Sequence, residues 1–108
     1  MKKVTITKPI GYYMDISICA QVGVYNRDLH YAEDRHGLGL EGYGRTEESA
    51  LSALFEDFIA CIDMIVMEED EKLSVDAKEL KEKMLTFINI HARMAEFPRR
   101  RKENEQSI

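Results

Sequence analysis

Apolar and polar residues alternate along the N-terminal part of the chain, a period typical of β-strands that bury one face. Val4 and Ile6 predict a short strand, and the lysines beside them favour the edge of a sheet. A longer run begins at Tyr12 and places four residues on its buried face: Met14, Ile16, Ile18 and Ala20. Further alternation at 29–32 and 38–43 completes an antiparallel sheet of three to four strands.

After Thr46 the apolar period lengthens to that of a helix, and the threonine hydroxyl is a suitable N-cap. Because the third helical position is Ser49 rather than Glu or Gln, we expect no full capping box. Apolar residues cover more than half of the circumference of this first helix between Leu51 and Val66. It therefore needs cover from the sheet on one side and from a second helix or another protomer on the other.

A second helix is predicted to start after Ser74 and to stop before Pro98. Its apolar residues recur at spacings of four and three, which suits pairing with the first helix or with a second copy of the chain. We call the positions at this spacing the apolar stripe of the second helix. Five residues on it form the predicted interface of a homo-oligomer, a dimer or higher: Leu80, Met84, Phe87, His91 and Met94. The predicted fold is α+β in the order β-β-β-α-α, with residues 1–98 as one domain and 99–108 as a basic and then polar tail.

The composition narrows the class of protein. A chain of 108 residues with 44% hydrophobic content suffices for one domain. Its net charge of -5 argues against an extended nucleic-acid surface, although not against a local basic site. No segment resembles a signal peptide, and no apolar run approaches the roughly 20 residues that span a bilayer. We therefore expect a cytoplasmic protein without membrane contact.

Several clusters favour structural interpretations. Four side chains of metal-ligating type match no metal motif and read as a solvated turn, so no metal is expected: His30, Glu33, Asp34 and His36. Four glycines before the first helix suit close approach of strand and helix, because the glutamates after Thr46 repel an anion: Gly37, Gly39, Gly42 and Gly44. Four tyrosines suit stacking on a sheet face, although strands favour tyrosine anyway: Tyr12, Tyr13, Tyr25 and Tyr31. No catalytic grouping has supporting context, so we expect neither an enzyme nor a cofactor.

Positive charge is concentrated at Arg99–Lys102, with Arg93 one helical turn earlier. Each arginine can grip a phosphate with two hydrogen bonds. The alternative is a solvated helix end that complements the helix dipole. For His91, the alternative to a ligand-binding role is that of a packed core histidine.

The junction between sheet and helix carries a family resemblance. The segment resembles the part of HicB-type antitoxins in which a glycine-bearing strand leads through Gly-x-Thr-x-Glu-Glu-Ala-Leu into a helix. The matching residues are Gly39, Gly44, Thr46, Glu47 or Glu48, Ala50, Leu51 and Leu54. The resemblance implies a non-catalytic β-β-β-α domain that dimerises and masks a small basic mRNA-cleaving toxin. Asp34–Leu38 replaces the usual Pro-x-Leu-Pro-Gly turn, and no operator-binding module is evident.

In layout alone, the chain is similar to phage anti-Thoeris sponges, which sequester cyclic-nucleotide immune signals. That likeness implies arginines, an aromatic and a polar side chain converging on an adenine-containing ligand at a protomer boundary. The candidates are Arg93, Arg99, Arg100, Arg101, Phe97, Asn89 and His91. The sequence therefore leaves two function hypotheses: a HicB-like antitoxin or related partner-binding protein, and a sponge for a cyclic adenine nucleotide.

Overall fold

The structure, a computed structural model, describes residues 2–95. Within them lie five strands and two α-helices: β1 (Lys2–Pro9), β2 (Met14–Asn26), β3 (Leu29–Asp34), β4 (Glu41–Gly44), α1 (Glu47–Cys61), α2 (Val75–His91) and β5 (Ala92–Met94). The predicted α+β class is confirmed, since an antiparallel sheet of four strands precedes two helices. No helix in this part of the chain has the length and apolar character needed to cross a bilayer.

The sheet has the order β1-β2-β3-β4, and every pairing is antiparallel. The predicted edge position of the first strand is confirmed. On the side opposite β1, the central strand β2 pairs with β3 through Ala20–Asn26 and with β5 through Met14–Ile16. Gly23 lies in regular register opposite Tyr31, and the irregularity falls after it, between Val24 and Asn26. A glycine inside a strand pattern often marks a bulge, but here the bulge lies beyond Gly23.

The core forms between the sheet and the two helices. Of the four residues predicted on the buried face of β2, Ile16, Ile18 and Ala20 are fully buried. Met14 is only partly buried, and Val22 extends the buried row instead. Phe58 of α1 is buried against this row and meets Phe87 of α2 edge to face, with the ring centroids 5.8 Å apart. The sheet thus covers one side of α1, while α2 packs at its C-terminal end, against Phe58 and the turn Ile62–Val66 that follows.

The second helix ends at His91, where the sequence predicts continued helix. Ala92 adopts an extended conformation (φ -77°, ψ 141°), and β5 then pairs with the start of β2. Arg93 and Met94 consequently lie on a strand rather than on the predicted helix, and of the two only Met94 belongs to the predicted apolar stripe. Met84 and Phe87 are 0% and 5% exposed, so they have almost no surface to offer a second copy. The sequence predicts that this stripe packs against either the first helix or a second copy of the chain. In the structure it packs against the first helix. An interface through the remaining three residues stays a prediction: Leu80, His91 and Met94.

Both predicted N-caps are observed, at Thr46 and Ser74. The expectation of an incomplete capping box is wrong. The Ser49 backbone N–H donates to the Thr46 hydroxyl at 3.0 Å, and the Thr46 backbone N–H donates to the Ser49 hydroxyl at 3.0 Å. The serine hydroxyl thus takes the role that a glutamate or glutamine usually has in this motif.

The connection between the helices contains a π-helical turn, Ile62–Val66, and a 3-10 turn, Asp70–Lys72. The sequence predicts fraying here, because acidic residues follow the negative end of the helix dipole. A cation from α2 lies at this point instead: the Lys81 ammonium donates to the Glu68 carbonyl at 2.7 Å and to the Asp70 carboxylate at 2.9 Å. This hydrogen bond holds the pKa of Asp70 below its ordinary value.

Candidate functional site

The helices cover one face of the sheet only. The residues of β2 that alternate with the buried ones, from Asp15 to Gly23, point to the opposite face and are partly exposed. We call this opposite side the outer face. Cross-strand register places Gln21, Glu33 and Glu41 in one row on it, and Gly23, Tyr31 and Tyr43 in the neighbouring row. Within residues 2–95, no helix packs on the outer face.

Residues of both rows, together with Tyr25, form a cluster that we call the acidic tyrosine patch: Tyr25, Tyr31, Glu33, Glu41 and Tyr43. Tyr43 is 51% exposed and donates from its hydroxyl to the Glu41 carboxylate at 3.0 Å. Tyr25 is 71% exposed. The ring of Tyr31 lies against Gly23, where an added Cβ would stand 2.7 Å from the tyrosine hydroxyl. Gly23 therefore provides the space in which Tyr31 packs across β2.

The acidic tyrosine patch carries two negative charges that no positively charged side chain of the described residues pairs with. Glu33 and Glu41 lie directly opposite each other in register, and like charges at such positions destabilise a sheet. In the part of the chain that the structure describes, neither glutamate forms an ion pair. The nearby Arg35 instead donates to the Gln21 side chain. The hydrogen bond to Glu41, with the negative charge of Glu41 and neighbouring groups, raises the pKa of Tyr43 above its ordinary value, so this phenol stays a neutral donor.

A second feature is an open groove of about 540 Å³ beside α2. Eight residues line it: His36, Glu79, Glu82, Lys83, Thr86, Phe87, Ile90 and His91. His91 is the one residue of the predicted ligand-binding set among them. Its ring packs against Phe87 and His36, with centroid distances of 4.6 and 4.8 Å. The groove presents two carboxylates and one ammonium group, which is a poor complement to a phosphate.

His36 occupies a gap along the edge of β2, between the segments that pair with β3 and with β5. There its Nε2 accepts the backbone N–H of Cys19 at 3.0 Å. The loop that carries His36 is held by Asp34, whose carboxylate accepts the backbone N–H groups of His36, Leu38 and Leu40 at 2.9, 3.0 and 2.8 Å. A solvated turn is therefore the wrong interpretation of these two residues, which have structural partners. Within residues 2–95, no three side chains of metal-ligating type converge.

The surroundings of His36 predict a dependence of stability on pH. Burial lowers its pKa, the neighbouring His91 lowers it further, and Asp34 opposes both effects. Because the folded protein binds this proton less readily than the unfolded chain, His36 contributes stability above about pH 6.5, its unfolded pKa. That contribution is lost as the pH falls through the lowered folded pKa. Urea unfolding at pH 7.5 and pH 5.5 measures the difference.

Two histidine variants test whether His36 causes this loss of stability at low pH. His36→Gln cannot be protonated and keeps an acceptor for the Cys19 N–H, so we expect it to lose less stability than the wild type between the two pH values. His30→Gln, on β3, serves as the matched control and should retain the wild-type difference. Equal losses in the wild type and in His36→Gln would show that other groups determine the acid sensitivity.

The predicted anionic site is not assembled by its described members. Arg93 donates from one guanidinium nitrogen to the carbonyls of Ile90 and Ala92 at 2.6 and 2.8 Å. It thereby satisfies carbonyl groups at the end of α2, in accord with the structural alternative for this arginine. Asn89 is exposed and does not line the groove that contains His91. The other four candidates lie outside the described residues: Phe97, Arg99, Arg100 and Arg101.

The sequence predicts which residues of the acidic tyrosine patch share a strand face, but not that the two strands bring them together. Tyr31 and Glu33 have the spacing of two that places residues on one strand face, as do Glu41 and Tyr43. Their convergence depends on the β3–β4 register, which the spacing alone does not specify. Comparisons with protein-family models, curated proteins and solved structures found no match to this chain.

Proposed function

We propose that this protein is a cytoplasmic, non-enzymatic binding protein whose partner is another protein, in the manner of a HicB-like antitoxin or a related partner-binding protein. The observation that supports this proposal is the outer face of the sheet, which no described helix covers and which bears the acidic tyrosine patch. Tyrosines are enriched where proteins bind each other, because they provide a large contact area together with a polar group.

Charge favours a basic partner. The chain has a net charge of -5, and the patch places two of its carboxylates opposite each other without an ion-pair partner among the described residues. A small basic protein is complementary to such a surface and is steered towards it. The path from Gly44 of β4 through Thr46 into α1 also agrees with the sheet-to-helix junction that the HicB-like resemblance implies.

The alternative, a sponge for a cyclic adenine nucleotide, has less support. A phosphorylated ligand is repelled by the carboxylates of both candidate surfaces, the patch and the groove. Arg93 is engaged with the end of its own helix. Such a ligand would therefore depend on the arginines at 99–101.

Co-expression with neighbouring genes tests the proposal. We expect a short adjacent reading frame to encode a small basic protein that arrests growth when expressed alone. Co-expression with this chain should restore growth, and the two proteins should elute together in size-exclusion chromatography. Absence of such a reading frame, or growth arrest that this chain does not relieve, would count against the antitoxin proposal. Release of an ultraviolet-absorbing nucleotide from the heat-denatured protein would favour the sponge instead.

A further inference from the structure

We infer that the acidic tyrosine patch binds an arginine side chain of a basic protein. This inference rests on the proposed function and names the contact surface and the chemistry of the partner. The patch combines two opposed carboxylates, Glu33 and Glu41, with the rings of Tyr25, Tyr31 and Tyr43.

The opposed glutamates are the first reason. Their repulsion disfavours the isolated sheet, and no cation within the described chain pairs with either of them. A guanidinium group placed over the two strands relieves the repulsion and donates hydrogen bonds to both carboxylates. Its planar fork matches carboxylate geometry, whereas a lysine ammonium is a more strongly hydrated point charge.

The tyrosines are the second reason. An arginine plane stacks on an aromatic face, and the ring quadrupole attracts its positive charge. Tyr43 is held by its hydrogen bond to Glu41, and Tyr31 is packed against Gly23, so two rings are oriented before any ligand arrives. Binding therefore costs little additional side-chain entropy.

The same features disfavour other occupants. Tyrosine rings also stack on nucleic-acid bases, but the two carboxylates repel the phosphate backbone. A second copy of the chain meeting face to face would bring four glutamates together. An apolar segment would bury the two carboxylates without a partner for their charge. Arginine satisfies the rings and the carboxylates at once.

Peptide binding to the full chain tests the inference. The probes are a fluorescently labelled arginine–glycine repeat peptide and the equivalent lysine–glycine peptide, measured by fluorescence anisotropy at low salt. We expect the arginine peptide to bind more tightly. Glu33→Gln combined with Glu41→Gln should weaken its binding by about tenfold or more, because two charged hydrogen-bond acceptors are lost.

Matched variants separate the patch from bulk charge. Glu69→Gln combined with Glu71→Gln removes the same charge from the exposed turn between the helices and should change the affinity by less than about twofold. Tyr43→Ala should weaken binding by about fivefold through loss of the ring, while Tyr43→Phe should keep most of it. Equal weakening by the two glutamate pairs, or undiminished binding without Glu33 and Glu41, would overturn the inference.

The same variants keep this inference distinct from the proposed function. If the small basic partner is found and still binds the Glu33→Gln/Glu41→Gln protein at full strength, the patch inference fails and the antitoxin proposal stands. If the arginine peptide requires the patch but this chain relieves no growth arrest caused by an adjacent basic protein, the patch inference stands and the antitoxin proposal fails.

Discussion

Replacing Asp34 with alanine is expected to lower the free energy of unfolding by about 3 kcal/mol, because one carboxylate accepts three backbone hydrogen bonds. The loop it organises takes Leu38 and Leu40 into the core, where they are 5% and 1% exposed. It also places His36 against the edge of β2. Urea unfolding at neutral pH, followed by circular dichroism, measures the loss.

Two further variants separate the hydrogen bonds from the loss of charge. Oδ1 of Asp34 accepts from His36 and Leu38, and Oδ2 accepts from Leu40. Asp34→Asn can retain the first two bonds and loses the third, so it should be destabilised less than the alanine variant. Glu33→Gln, at the exposed neighbouring position, should lie within about 0.5 kcal/mol of the wild type. An alanine variant no less stable than the asparagine variant would show that the three bonds do not hold the loop.

The elements that the sequence predicts well are those fixed by local patterns. The buried face of β2 follows from a period of two, and the start of α1 follows from Thr46. The sequence pattern does not predict the end of α2, because a non-local partner determines it. Ala92 pairs with Ile16, a residue distant in sequence, and this pairing ends the helix. Helical periodicity cannot predict a pairing of this kind.

In the candidate site, too, local patterns are predictable from the sequence, whereas contacts between distant segments are not. The concentration of arginines at the C-terminal end predicts an anionic site from charge alone. In the structure, however, Arg93 donates hydrogen bonds to backbone carbonyls at the end of α2. The sequence indicates Tyr25 and Tyr31 as stacking residues, but it does not indicate Tyr43 or the two glutamates beside it. Their relation to the tyrosines arises from cross-strand register, which depends on how β3 meets β4 rather than on spacing within either strand.

Replacing Gly42 with alanine should be about as damaging as the loss of Asp34, at about 3 kcal/mol, because there is no room for even a methyl group. An added Cβ would lie 2.2 Å from the Ala50 carbonyl oxygen and 2.2 Å from the Leu54 nitrogen. Both atoms belong to the backbone of α1, so the clash cannot be relieved by rotating a side chain. Either β4 or the helix must move away, which opens the packing around Leu54.

Gly23→Ala is the matched control for this prediction. Neither Gly23 nor Gly42 has a positive φ angle, so both substitutions are free of backbone strain of that kind. The added Cβ at position 23 meets the far end of the Tyr31 side chain at 2.7 Å, and this ring can turn aside. We therefore expect Gly23→Ala to cost less than about 1 kcal/mol in unfolding free energy while disturbing the acidic tyrosine patch. Similar losses for the two glycine variants would show that β4 is not seated against α1 as closely as these distances indicate. A selective loss at Gly42 would show that the strand bearing Glu41 and Tyr43 is held in place by direct backbone contact with the first helix.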